Sequence, residues 1–596
     1  MSVGAVPVGP PPGLPASTLC AAFQRTARTC ASDLALRASD GSVRLTWRQY
    51  AQRVRTVAGG LSALGVGHSD TVGLMLVNRP EFHVLDMAAV HVGAVPFSIY
   101  NTLPVEEIAV LVRDSGCTVL VTEARFLDRV IAACENTAVE HIVVVDRPGS
   151  AGVMSLATLE TLEDKGFDFE AAWRAVRSDD VLTLIYTSGT TGRRKGVEIT
   201  HGNMVSGLHA ICDLLGMRRG GRSTSYLPSA HILDRAWFHY LPTLTGATTV
   251  SVADARQIMD VVAEVRPTYW GGVPRVWEKV QAALLAQGIA DPSALTAAQR
   301  AAVVRRLGLD ACRFLAVGAA PMPVRTVEYF LALGIELSEL WGMSETAGIG
   351  TVNPPGALRA GTVGPPVSGM EARLLDDGEL LVRGPMVMRG YRGAPDLTAQ
   401  VLDADGWLRT GDVAEIDDAG YLKIVDRKKE LIINAGGKNM SPAAIENKIK
   451  EASPLVGQVM AVGDLRPYNV ALLVLDADGL AAFSTAHGID TAEGIDENSV
   501  DRLAAHPKVI DEVRRAVAAA NERLARVEQI KKFAVLSDEW TVAGGELTPT
   551  LKLRRAAVHD KYGEVIDRLY REDGGATPEP GGAALTPLAA GRMEHA

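Results

Sequence analysis

From about residue 45 the sequence alternates helix-period segments with short β-rich runs, and no other feature restricts the possible fold as strongly. The pattern reads YAQRVRTVAGGLSAL (50–64), TVGLMLV (71–77), FHVLDMAAVHVGA (82–94), CTVLVTE (117–123) and HIVVVD (141–146). Strands separated by helices cannot pair through a tight hairpin, so they run parallel. A second series follows, with helices near 202–216 and 255–265, TYWGGV (268–273), a helix at 275–287 and RFLAVG (313–318). Residues 21–426 therefore read as one large α/β body of layered, mostly parallel sheets. After Gly364 the texture changes to short alternating strands with Asp-Gly and Ala-Gly turns, EARLLDDGELLVRG (371–384) and EIDDAGYLKIVDR (415–427), which predicts a β-subdomain. Ser441-Pro442 then places an N-cap and a first-turn proline before an amphipathic run, so residues 427–571 are expected to form a smaller α+β domain. Residues 1–20 carry five prolines and no charge and read as a flexible leader; 572–596, rich in Gly, Pro, Ala and Glu, read as a disordered tail.

Charge and cysteine content narrow the function. The 596 residues hold 60 basic against 70 acidic side chains, a formal −10, with no long cationic block, which argues against nucleic acid as the main partner. The six cysteines include no C-x-x-C pair, so neither a disulfide framework nor a zinc knuckle fits, and a reduced, cytoplasmic setting follows. The most apolar stretch, 84–97, is broken by Asp86 and His91 and falls short of the ~20 apolar residues that span a bilayer. Any membrane contact is expected to be peripheral.

The sharpest chemical signal is VLTLIYTSGTTGRRKGVEITH (181–201). It reads as strand, loop, strand. Gly189, Gly192 and Gly196 permit close backbone approach, Thr187, Ser188, Thr190 and Thr191 offer hydroxyls, and Lys195 with two arginines supplies positive charge. Such a loop suits a phosphate chain. The bland alternative is a flexible surface turn, and the spacing is not that of a Walker A loop. There is also no H-E-x-x-H, G-x-S-x-G or G-x-G-x-x-G pattern, so hydrolase and dehydrogenase readings lack their parts.

Five further segments follow this loop in order: YLPSAHILDR (226–235), AVGAAPMP (316–323), LWGMSETAG (340–348), RTGDVAEIDDAGYLKIVDRKKELIINAGGKN (409–439) and GELTPTLKLRR (545–555). With them the chain resembles the adenylate-forming enzymes, a family of acyl-CoA synthetases, adenylation domains and luciferases, over about residues 30–570. The LPSAH, AGGKN and LTPTLKLRR variants look most like long-chain fatty acyl-CoA synthetases.

The resemblance implies a nucleotide site built from Thr187, Ser188, Gly189, Thr190, Thr191, Gly192 and Lys195 together with Gly318, Ala319, Glu339, Leu340, Trp341 and Ser344. Glu345 and Thr187 would share Mg²⁺, and Trp341 would stack on the purine. By the same resemblance Asp412 would accept the ribose hydroxyls, Arg427 would contact ribose or phosphate, and Lys429 would be the hinge of a mobile C-terminal domain. Lys552 would be the mobile catalytic lysine, and His231 would lie where acyl pocket and nucleotide meet. Read from residue type alone, Trp341 could equally be a core aromatic, Asp412 an Asx turn, Lys552 a surface lysine and His231 a satisfied core histidine. Several positions depart from the family pattern: Arg194 replaces a usual proline, Ala319 and Ala320 stand where Gly-Ala is frequent, and Asn439 stands where some long-chain members carry a tunnel-gating tryptophan.

The implied reaction has two steps. A fatty acid carboxylate attacks the α-phosphate of ATP, giving acyl-AMP and pyrophosphate. The C-terminal domain then turns about Lys429, Gly436 and Gly437 come to face the site, and CoA takes the acyl group. The alternatives are a CoA ligase for a steroid or aryl acid, an acyl-AMP ligase that loads a carrier protein, and a non-catalytic acyl or nucleotide sensor. Chain length and oligomeric state are not legible, and a dimer is compatible with the family.

Overall fold

The computed structural model describes residues 10–187, 194–433, 439–489, 503–548 and 552–571. Its largest layer is an eight-stranded sheet. In spatial order the strands are Gly390–Tyr391, Lys195–Thr200, Val181–Thr187, Val95–Ser98, Thr71–Met75, Val119–Thr122, His141–Val144 and Val153–Ser155. The last six run parallel, as the alternation predicts. Thr71–Met75 is buried at all five positions because helices cover both faces of a parallel sheet. Helix Pro80–His91 is buried along almost its whole length, which accounts for its apolar composition without a membrane. Among the described residues no helix is long and apolar enough to cross one.

Two four-stranded sheets complete the α/β body: Arg222–Ser225, Thr248–Ser251, Leu34–Ala38 and Arg44–Thr46 in one, and Tyr269–Gly272, Phe314–Val317, Leu337–Trp341 and Thr351–Val352 in the other. The expected β-subdomain is an antiparallel sheet of Glu371–Leu374, Glu379–Arg383, Leu408–Ile416 and Leu422–Arg427. The C-terminal segment has its own core, in which helices Pro442–Ala452 and Pro507–Glu522 cover the sheet Val456–Val462, Asn469–Leu475, Ile530–Leu536. Ser441 caps the first of these helices by accepting the Ala444 N–H at 3.0 Å.

Part of the segment expected to be a flexible leader is docked on the body. From residue 10 the chain is described, and Gly13 donates its N–H to Leu244 at 2.8 Å. Leu19 and Cys20 open a helix capped by Thr18 and are fully buried against the body. Prolines remove backbone donors but do not prevent docking when a neighbouring apolar face is available. The expected tail, 572–596, lies outside the described residues.

Gly364 marks the passage from the α/β body to the β-subdomain. Its φ is +77°, and a Cβ there would lie 2.1 Å from the Val352 carbonyl oxygen. Gly364→Ala is therefore expected to cost more than about 3 kcal/mol, since left-handed strain and a backbone clash add. The midpoint of denaturant unfolding checks this; an unchanged midpoint would contradict it.

Candidate active site

The phosphate-loop segment enters and leaves the long sheet as an antiparallel hairpin, with Thr187 at the end of one strand paired to Lys195 at the start of the next. Ser188, Gly189, Thr190, Thr191 and Gly192 lie outside the described residues. Arg194 does not join a free cationic cluster: its guanidinium is ion-paired to Glu107. Gly390–Tyr391 adds an edge strand to the hairpin. That edge puts the Tyr391 ring under the Lys195 ammonium, 4.6 Å from nitrogen to ring centroid. The Tyr391 hydroxyl in turn donates to Glu345 Oε1 at 2.9 Å. Thr187, Lys195, Tyr391 and Glu345 thus form one contiguous patch. Tyr391 has no place in the motif reading, because its role comes from strand pairing across almost two hundred residues.

Glu345 is nearly buried in the Ser344–Thr346 turn, and the N–H of Met388 holds its backbone carbonyl at 2.8 Å. One carboxylate oxygen accepts the Tyr391 hydroxyl, which orients the group. Among the described residues no three His, Cys, Asp or Glu side chains gather into a metal cage. A lone oriented carboxylate fits Mg²⁺, which is commonly held by one or two carboxylates together with substrate phosphates. Glu345→Gln is expected to raise the Mg²⁺ concentration needed for half-maximal adenylation by about tenfold, because a neutral amide is a weaker ligand for a hard cation. A magnesium titration showing the same half-point would contradict it.

Asp412, the expected ribose acceptor, is 3% exposed. Its Oδ2 accepts the Trp341 indole N–H at 2.8 Å and its Oδ1 pairs with Arg427 Nε at 2.7 Å. The structure gives Trp341 a task unseen in its motif: the buried indole orients the carboxylate. Arg427 lies directly across the Leu408–Ile416/Leu422–Arg427 hairpin from Asp412. The remaining motif residues have protein neighbours of their own. The Glu339 carboxylate accepts the Gly361 N–H at 2.8 Å, and burial raises its pKa to about 7. Gly318 and Leu340 line a small apolar cavity of about 10 Å³ with Leu233, Trp237, Phe238 and Trp270. Ala319 adopts φ +70°, the conformation for which glycine is the ordinary choice. Lys429 lies in the exposed turn after Arg427, while its neighbour Lys428 is tied to Asp377 at 2.6 Å and Glu379 at 2.9 Å. Gly436 and Gly437 lie outside the described residues.

His231 sits at the turn that leads into the cavity wall. Burial and the nearby Lys552 charge lower its pKa to about 3, so the imidazole is neutral at any physiological pH. Its Nδ1 accepts the Leu233 N–H at 3.2 Å, which leaves Nε2 as the protonated nitrogen. Lys552 reaches the same place from the far end of the chain. It keeps contact with solvent, yet protein crowding and the Arg427 charge lower its pKa to about 8 against the opposing pull of Asp412 and Glu430. Contacts across the two halves seat it there: Asp426 Oδ2 accepts the Ser441 hydroxyl at 2.5 Å, and Arg275 pairs with Asp476 at 2.6 Å.

A lowered lysine pKa means the charge is complete below it and lost as pH rises through it. The kcat/KM for adenylation, which reports free-enzyme ionisations, is therefore expected to fall above about pH 8, and Lys552→Arg should abolish that limb. A limb that survives in Lys552→Arg would assign it to another group.

Two family profiles match the chain. A family profile described as AMP-binding enzyme matches residues 23–392, and one described as AMP-binding enzyme C-terminal domain matches 429–574. The chain belongs to the AMP-binding, adenylate-forming enzymes. A Mycobacterium tuberculosis protein bearing the fatty-acid–CoA ligase name fadD11 is 45% identical over 459 residues, covering 71% of this chain and 79% of that one. The long-chain-fatty-acid–CoA ligase FadD15 of the same organism is 34% identical over 569 residues, covering 89% and 92%. Among solved structures, an anthranilate CoA ligase in complex with anthranoyl-AMP superposes with a TM-score of 0.75 at 20% identity, covering 96% of this chain and 100% of that one. A Mycobacterium tuberculosis fatty acyl CoA synthetase superposes with a TM-score of 0.61 at 24% identity, covering 92% and 99%. At such identities the structural matches speak for the fold.

Proposed function

We propose that this AMP-binding enzyme is an ATP- and Mg²⁺-dependent ligase that activates a long-chain fatty acid as acyl-AMP and transfers the acyl group to CoA. The observation that supports it best is the meeting of Lys552 with His231, Arg427 and Asp412, residues that the chain carries up to 321 positions apart. A cation there stabilises charge that develops between an attacking carboxylate and the α-phosphate. The neutral His231 Nε2–H is a donor for the acid's carboxylate end, and the apolar side chains Leu233, Trp237 and Phe238 beside it are the surface against which its chain would pack, the small cavity there widening to admit it. Lys195 and Thr187 face the leaving pyrophosphate in this reading, and Asp412 with Arg427 holds the ribose. Mg²⁺, when bound through Glu345 and Thr187, supplies charge neutralisation at the phosphates.

Thioester formation needs a second arrangement. The C-terminal domain, from residue 427 onward, turns about Lys429, which breaks the Asp426–Ser441 and Arg275–Asp476 contacts and withdraws Lys552. The same reading places the enzyme in the cytoplasm, where its six free cysteines stay reduced, with a peripheral membrane contact as the source of the acid.

The decisive experiment measures pyrophosphate release and thioester formation with acetate, octanoate, palmitate, an aryl acid and a steroid acid, with and without CoA. Each buried methylene contributes about 0.8 kcal/mol, so kcat/KM should rise from octanoate to palmitate. Equal use of acetate or an aryl acid sinks the long-chain assignment, acyl-AMP released without thioester favours carrier loading, and no acid-dependent pyrophosphate sinks the ligase reading.

A further inference from the structure

Behind His231 lies a polar cluster with no access to solvent. Arg235 and Asp86 are both 0% exposed and pair at 2.5 Å. The guanidinium also donates to the Ser229 carbonyl at 3.2 Å, the Tyr240 hydroxyl at 2.8 Å and Ser98 Oγ at 3.0 Å. Asp86 Oδ1 accepts the Tyr240 hydroxyl at 2.9 Å and lies 2.9 Å from His239 Nε2. Asn78 fastens the same loop two residues earlier, donating to the Leu227 carbonyl at 2.8 Å. Burial alone would make the Asp86 carboxyl harder to ionise, but Arg235 and His239 outweigh it and hold its pKa at about 2. Desolvating such a pair commonly costs as much as its attraction returns, so stability by itself is a poor reason for it.

The local backbone supplies a better one. Asp234–Tyr240 is a π-helical segment, a wide turn that is frequent at functional sites. It presents two kinds of side chain: Trp237 and Phe238, with Leu233 just before, line the apolar cavity, while Arg235, His239 and Tyr240 enter the polar cluster. One guanidinium thereby holds both the Ser229–His231 turn and the cavity wall. We propose that Arg235, clamped by Asp86, is a positioning residue for the acyl site, setting His231 and the Leu233–Phe238 wall in one fixed relation to the incoming acid. This rests on the acyl-activating reading of that site.

Arg235→Lys keeps the charge but cannot reach Ser229, Tyr240 and Ser98 together, because an ammonium lacks the planar fork. Tyr240→Phe removes only the hydroxyl between Arg235 and Asp86 and keeps the ring. In pyrophosphate release, Arg235→Lys is expected to raise the KM for palmitate by about tenfold or more while the KM for ATP stays within about twofold, since small misplacements at a reacting centre are costly. Tyr240→Phe should move the same constants in the same direction by less, and both should change the palmitate-to-octanoate ratio. Equal movement of both KM values, or of neither, overturns the proposal. A second readout needs no substrate: in full-length protein with ¹³C-labelled histidine, the His231 resonance, identified by its loss in His231→Gln, should shift in Arg235→Lys and in Tyr240→Phe. An unmoved resonance overturns the positioning role. If wild type releases no pyrophosphate with any acid, the ligase reading fails while the resonance still judges Arg235.

Discussion

Lys552→Ala is expected to lower acyl-adenylate formation by about 10²–10³, the usual effect of removing one donor that stabilises transition-state charge. Thioester formation from supplied acyl-AMP should stay within about twofold of wild type, because the proposed turn about Lys429 withdraws Lys552 before CoA attacks. In the arrangement the structure shows, its ammonium is near enough to Arg427, Asp412 and His231 for their charges to interact. Measuring the two half-reactions separately checks this. If both fall together, Lys552 holds the fold or both orientations; if neither falls, it is a surface lysine.

Asp412→Ala is expected to raise the KM for ATP by about 10², with a smaller effect on the KM for the acid. A carboxylate that receives two ribose hydroxyls makes two charge-assisted hydrogen bonds, each worth roughly 1.5–3 kcal/mol. The change also leaves the buried Trp341 N–H without its acceptor and frees Arg427 from its carboxylate partner. Asp412→Asn keeps the shape and should lie between Ala and wild type. ATP titration of initial rates is the measurement, and an ATP KM within about twofold of wild type would remove Asp412 from the nucleotide site.

The periodic features were legible because they are local. Alternating apolar runs predicted the parallel strands at Thr71–Met75 and Val119–Thr122, and the Asp377-Gly378 and Ala419-Gly420 turns predicted the hairpins of the β-subdomain. The strand, loop, strand reading around the phosphate segment matches the Val181–Thr187/Lys195–Thr200 hairpin. Features that depend on distant partners were not legible. Nothing near Trp341 in sequence says that its N–H meets Asp412, 71 residues on. Arg194 looked like phosphate-binding charge until Glu107 was placed beside it. The proline-rich start looked free because docking depends on what lies opposite, here Leu244 and Thr243.

What the sequence by itself determined is the α/β plan and the residue types at each motif, since side-chain periodicity and turn chemistry act within a few residues. Through those motifs it also pointed to adenylate chemistry. Only the tertiary structure decided which groups meet: Tyr391 joining Lys195 to Glu345, the Trp341–Asp412–Arg427 chain, the Arg235–Asp86 clamp behind His231, and Lys552 brought within reach of the Arg427 and Asp412 charges. The physical reason is that strand register and domain seating bring together atoms tens to hundreds of residues apart, and burial among those atoms then sets their charge and orientation.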